Sequence, residues 1–229
     1  MMDYQTAVRG AFFDIAGVAE TPDEVAAQAR YLDDGLLFLQ EGKIIALLPW
    51  LEGEAFLHPL KGYVDLRGKL LLPGFVDAHV HYPQTEMIGA FGEQLLEWLT
   101  TYTFPVESQF ADAEYAQEIA QFFVNQLISH GTTTALVFCT LHPASVEALF
   151  SEALRLNMRL IAGKVMMDRH VPDYLCETAG ESYEQTRALI RRWHQRGRLA
   201  YAITPRSGPT SPPALLEAVQ RLRTEFPDT

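Results

Sequence analysis

The chain has 229 residues, is 48% hydrophobic and carries a formal net charge of −11. It is long enough to bury one large core or two smaller ones, and its acidity excludes a phosphate-neutralising nucleic-acid surface. No stretch reaches the roughly 18 apolar residues of a membrane span, the N-terminus lacks a signal-peptide layout, and Cys139 and Cys176 stand at no disulfide or CxxC spacing. The expectation is a cytoplasmic protein with reduced thiols, no nucleic acid and no membrane.

The first 66 residues read as a small β-rich domain. Ala7 to Val18 alternates loosely, and the apolar runs 35–39 and 43–48 flank Gln40-Glu41-Gly42, a hairpin signal with glycine in the turn. Leu66-Arg67-Gly68 punctuates the chain, so a second domain is expected over residues 67–229. From Leu72 the pattern alternates strand and helix. Strands are expected at 72–81, 132–140, 160–168 and 199–205, with an aromatic-rich segment from Glu93 to Phe104 after the first. One helix presents Ala116, Ile119, Ala120, Phe123 and Leu127, and a second presents Val146, Leu149, Phe150 and Ala153 before Asn157. A third presents Tyr183, Ile190 and Trp193 before Gly197. The last is capped by Ser211 and turns Leu215, Leu216, Val219 and Leu222 inward. Arg191, Arg192, Arg196 and Arg198 gather at a predicted helix end, where cations suit the macrodipole.

Nearly continuous apolar strands alternating with helices predict a parallel sheet covered by helices. A doubly wound sheet and a (β/α)₈ barrel both satisfy that rule, and His79 and His81 favour the barrel. The most informative residues are Pro73-Gly74-Phe75-Val76-Asp77-Ala78-His79-Val80-His81. Side chains alternate along a strand, so His79 and His81 project from one face at its carboxyl end and can hold one divalent ion. Carboxyl ends of strands carry function in a (β/α)₈ barrel, yet only four βα units can be counted here. Four strands leave open edges, with Phe75, Val76, Val137 and Val165 expected to need cover and the chain expected to associate, as a homo-oligomer or through the open barrel edge.

The Pro-Gly-Phe-Val-Asp lead-in and the His-x-His pair resemble the amidohydrolase superfamily. Within it, Leu95-Leu96-Glu97-Trp98-Leu99, Tyr102-Thr103-Phe104-Pro105 with Glu107, Gly131-Thr132-Thr133-Thr134, Gly163-Lys164-Val165 with Met167-Asp168, and Ile203-Thr204-Pro205-Arg206 resemble the guanine deaminases, which convert guanine to xanthine and ammonia. The resemblance runs from about residue 30 to 215 and implies the N-terminal half of such an enzyme: about four βα units of the barrel after the small β-rich domain. It implies His79 and His81 as ligands of one zinc ion, with Gln84 and Arg206 contacting the purine. The family places an aromatic residue after that arginine, where this chain has Ser207. It also needs a third zinc histidine with a glutamate three residues on, a further histidine and an aspartate. No histidine follows Arg206, and Glu217 and Glu225 fall in the last predicted helix, so no catalytic residue and only an incomplete zinc ligand set are expected. The alternative is an inactive fragment or paralogue with a purine-binding or assembly role.

Lys164 falls on the third strand rather than the fourth, which argues for an ion-paired or structural lysine over a metal-bridging one. Trp98, Tyr102 and Phe104 are expected to pack a core. His58, His130, His142, His170 and His194 read as surface or capping residues.

Overall fold

The computed structural model describes residues 3–58, 61–92 and 94–229. Glu93, at the start of the aromatic-rich segment, and residues 1, 2, 59 and 60 of the β-rich segment lie outside the described residues. Contacts divide the chain into Met1–Pro73 and Gly74–Thr229.

The first unit is built on β1 (Thr6–Ile15), α1 (Pro22–Gln28), β2 (Ala29–Gln40), β3 (Lys43–Pro49), the single turn α2 (Trp50–Gly53) and β4 (Val64–Leu71). Its sheet runs β3-β2-β1-β4. The expected hairpin joins β2 to β3, with Gln40 opposite Lys43 and both loop residues at positive φ, 49° at Glu41 and 72° at Gly42. That is the backbone hand of the tight turns that suit strand twist. Tyr4, Ala7, Leu36 and Phe38 form the core of the unit. The boundary expected after residue 66 falls inside β4. Leu66-Arg67-Gly68 is a bulge between two stretches paired with β1, Arg9 opposite Asp65 and Ala11 opposite Leu70. Arg67 folds back onto Asp65, so punctuation that reads as a linker serves within a strand.

The second unit begins with β5 (Phe75–His81), followed by α3 (Leu95–Trp98), α4 (Phe104–Ser108) and α5 (Ala113–Ser129). Then come β6 (Thr132–Phe138), α6 (Pro143–Arg155), β7 (Arg159–Gly163), β8 (Val165–Met166), α7 (Ala179–Trp193), β9 (Leu199–Tyr201), β10 (Thr204–Pro205) and α8 (Pro213–Glu225). Strands β5-β6-β7-β9 form one sheet in sequence order with every pair parallel, the arrangement of a partial barrel. The helices bury their predicted faces against it, including Ile119 and Phe123 of α5, Leu149 and Phe150 of α6, and Ile190 and Trp193 of α7. Two details differ at α8. Leu216 is half exposed because the inward face follows Leu215, Ala218 and Leu222 at helical spacing. Ser211 does not cap the helix; its Oγ donates to the Ser207 carbonyl at 2.7 Å, and Pro212 holds the cap position. Phe75 and Val76 are exposed as expected, whereas Val137 is covered by the helices and Val165 by Phe104 and its neighbours.

The third and fourth expected strands are each interrupted. Ala162 faces Tyr201 and Val165 faces Thr204, so the ladder resumes without changing register. At the gap the Lys164 amide donates to Tyr201 Oη at 2.9 Å, and Thr204 Oγ1 donates to the Lys164 carbonyl at 2.7 Å, replacing the missing ladder bonds. Gly163 permits the gap, because a Cβ there would lie 1.8 Å from the Ala202 carbonyl oxygen. Gly163→Ala is therefore expected to cost about 3 kcal/mol, at the upper end of overpacking penalties. Urea denaturation checks it, and an unchanged midpoint would show that the two strand ends can move apart freely.

Candidate functional site

The site lies at the carboxyl end of β5. Between Asp77, opposite Ala135, and Val80, opposite Val137, β5 carries one extra residue. Asp77 Oδ1 accepts the His79 amide at 3.1 Å and steadies this bulge, so Asp77 braces the strand end. A bulge re-aims side chains, and here the Nε2 atoms of His79 and His81 stand 3.3 Å apart. A tetrahedral ion bound at about 2.0–2.1 Å requires ligand nitrogens about 3.3–3.4 Å apart, so the pair fits two positions of such a shell. The Phe138 ring, at the end of β6, stacks on His81 with centroids 4.8 Å apart and planes 11° from parallel. Burial first, then the charges of Arg206 and His79, push the His81 imidazole down to about 4, which leaves it neutral at physiological pH. Its Nδ1 is buried without a hydrogen-bond partner. Among the described residues no group of three or more His, Cys, Asp or Glu is placed to hold a metal ion.

Gln84 sits in the short 3₁₀ segment Tyr82–Met87 that follows His81. Tyr82 anchors this segment, fully buried with its hydroxyl donating to the Ala116 carbonyl at 3.1 Å. Arg206 follows β10, and its amide donates to the Met166 carbonyl at 3.2 Å. Its guanidinium Nη1 donates to Glu107 Oε2 at 2.6 Å, and Gln84 stabilises the same carboxylate. Burial pushes the Glu107 carboxyl up, while Arg206 and Gln84 pull it back. The Arg206 guanidinium also lies over the Phe104 ring, 5.4 Å from its centroid. Leu95 to Ala111 forms one nearly continuous helical run with a π-type turn at Leu99–Thr103. Pro105 offers no N–H and its ring crowds the preceding turn, and the wider turn accommodates it. That run aims Phe104 and Glu107, one turn apart, inward together.

All four candidates thus share one neighbourhood: His79 with His81, Gln84 beside Glu107, and Arg206 close enough to influence His81. His79, His81, Gln84 and Trp98 line a cavity of about 730 Å³ that continues along α5, whereas Arg206 and Glu107 lie outside its lining. Of the three aromatics, Phe104 is core, Tyr102 is exposed and Trp98 is half-buried, its indole N–H donating to the Ala90 carbonyl at 3.1 Å. His142 occupies the N-cap of α6, while His130 and His194 occupy the C-caps of α5 and α7. Glu225 is committed to Tyr183, Arg187 and Arg191. Sequence reasoning gave no role to Phe138 or Glu107. Phe138 could have been found by aligning the carboxyl ends of neighbouring parallel strands.

The family model described as "Amidohydrolase family" matches residues 70–226. The guanine deaminase of Escherichia coli K12 is 54% identical over 223 residues, 97% of this chain and 51% of that protein. The probable guanine deaminase of Deinococcus radiodurans is 48% identical over 164 residues, 72% of this chain and 37% of that protein. The solved structure of E. coli guanine deaminase superposes with a TM-score of 0.95, covering 98% of this chain and 52% of that one. Guanine deaminase from C. acetobutylicum, solved with guanine bound in its active site, is 28% identical with a TM-score of 0.85, covering 97% of this chain and 51% of that one. The chain spans about half the length or less of the curated relatives it matches.

Proposed function

The chain belongs to the amidohydrolase family, and we propose that it supplies the two-histidine and purine-contacting part of a zinc-dependent guanine deaminase, converting guanine to xanthine and ammonia in cytoplasmic guanine catabolism. The observation that carries this reading is the 3.3 Å separation of the His79 and His81 Nε2 atoms beside Gln84 and Arg206. The two imidazoles would hold the ion, and His81, neutral at physiological pH, keeps its lone pair available. Zinc bound there would supply a water acidic enough to ionise near neutrality. Gln84 offers both amide donor and acceptor, Arg206 offers only donors, and together they suit the mixed polar edge of a flat purine. The cytoplasmic setting is supported by the free thiols Cys139 and Cys176, and among the described residues no helix is long and apolar enough to cross a membrane.

A second reading, a non-catalytic purine-binding or assembly module, draws on Ser207 in the place where the family carries an aromatic residue and on the absence of a three-ligand group among the described residues. The discriminating experiment measures zinc content and xanthine formation for the chain alone and mixed with the remaining half of a guanine deaminase. Activity in the mixture supports the first reading, and its absence despite stable association supports the second. In an active mixture, Gln84→Ala and Arg206→Ala are each expected to weaken guanine binding by about 1–3 kcal/mol while leaving zinc content unchanged, since each leaves a polar edge of the base unpaired. Unchanged Michaelis constants in both variants would remove these residues from the purine contact.

The same half-sheet supports self-association. Strands β5 and β9 each pair on one side only among the described residues, and Phe75 and Val76 are 56% and 69% exposed. Unpaired strand edges beside apolar surface favour pairing with another chain. Sedimentation at micromolar concentration is expected to show dimers or larger species, and a monodisperse monomer would refute this.

A further inference from the structure

Glu107 places its carboxyl where there is no solvent exposure. Its Oε2 accepts Arg206 Nη1 at 2.6 Å, Gln84 lies beside it, and Oε1 has no hydrogen-bond partner among the described residues. Arg206 is only 10% exposed and is backed by the Phe104 ring. A buried carboxylate is costly, and the permanently charged guanidinium 2.6 Å away is what offsets that cost in a dry setting. Two consequences follow for whatever meets Arg206. The guanidinium is held in one orientation, with its unused N–H groups turned elsewhere than Glu107. Its positive charge is offset at a distance of 2.6 Å, so the site offers hydrogen-bond donors with less pull on an anion than a lone arginine would have.

We propose that Glu107 is a positioning residue that makes this site select neutral aminated purines over anionic oxopurines. The inference rests on the purine reading above and adds the charge class that the site prefers. Guanine is uncharged around neutrality. Xanthine, with a second ring carbonyl, sheds a ring proton in that range, so the product of deamination acquires a negative charge that the substrate lacks. An unpaired arginine would hold that anion more tightly than it holds the substrate. An arginine already paired with Glu107 favours the neutral base and lets the anion leave.

The test is equilibrium binding of xanthine to the 229-residue chain, measured on the acid and the alkaline side of the ring ionisation of the ligand. Guanine, neutral in both conditions, reports any change in the protein groups that face the site, His79, His81 and Glu107, beside the permanently charged Arg206. The wild-type chain is expected to bind xanthine more weakly once it ionises. In Glu107→Gln the sign reverses, and ionised xanthine binds roughly tenfold or more tighter than neutral xanthine. Glu107→Asp keeps the charge and is expected to keep the wild-type direction. A merely structural glutamate would weaken both ligands together and reverse nothing. If the chain binds guanine but Glu107→Gln shows the wild-type direction for xanthine, this inference is overturned and the purine reading stands. If the wild-type chain binds neither purine, this inference is overturned, and xanthine formation in the complemented mixture decides the purine reading separately. Should Glu107→Gln not fold, the wild-type measurement decides alone, since tighter binding of ionised than of neutral xanthine overturns the proposal.

Discussion

Lys164→Ala is expected to lower the unfolding free energy by about 3–5 kcal/mol, the scale found when one partner of a buried ion pair is removed. Lys164 is fully buried, and its Nζ meets Glu177 Oε1 at 2.5 Å with Glu177 only 6% exposed. Burial pushes the lysine down and the carboxyl up, and each partner opposes that shift in the other. Deleting the ammonium leaves the carboxyl in a setting that disfavours its charge, with Oε2 already lacking a hydrogen-bond partner among the described residues. The effect extends to the candidate site, because the Lys164 backbone bridges the gap between β7 and β8 and accepts Thr204, two residues before Arg206. The double variant Lys164→Met, Glu177→Leu removes both charges at similar volume and is expected to recover most of the lost stability. Urea denaturation of the single and double variants measures both values. A single variant within 1 kcal/mol of wild type, a scale typical of exposed pairs, would show that water reaches the pair.

The elements most legible in the sequence are those set by local chemistry. Gln40-Glu41-Gly42 announces its hairpin because two consecutive positive φ values favour glycine and few other residues. The His79-x-His81 pair is legible because strand period fixes which side chains share a face, and the bulge at Ala78 and His79 preserves that relation. Helix faces follow period 3.6 and fail only at Leu216, on the margin of the apolar stripe. What was not legible depends on contacts far apart in the chain. Glu107 and Arg206 are 99 positions apart, and no periodicity announces that a glutamate on a short helix will be buried under a strand-end arginine. The gap at Gly163 and Lys164 is invisible for the same reason, since it is the Ala202 carbonyl that occupies the space of a Cβ. The boundary near residue 66 failed in the opposite way: Leu66-Arg67-Gly68 has the composition of a linker, yet pairing to β1 on either side makes it a bulge.

By itself the chain is expected to form no detectable xanthine, and when complemented by the missing half of a family member its activity is expected to fall more than about 100-fold in His79→Ala, His81→Ala. Loss of groups that merely support metal ligands already costs about 10–100-fold, so loss of two ligands must exceed that range. The first expectation follows from coordination: two imidazoles fill at most half of a tetrahedral shell, and the described residues place no third ligand beside them. It also follows from proton transfer, because Glu107, the buried carboxylate that Gln84 stabilises, is engaged by Arg206. The measurement is zinc content by elemental analysis and xanthine formation by absorbance, on the chain alone, the mixture and the mixture carrying the double variant. Guanine binding separates a lost ion from a collapsed site. The alanine variant leaves Gln84, Glu107 and Arg206 in place, so purine affinity is expected to survive while zinc and turnover disappear together. Xanthine production by the isolated wild-type chain, abolished in the alanine variant, would mean that a second copy completes the shell. Undiminished turnover by the alanine variant in the mixture would remove the histidine pair from the metal centre.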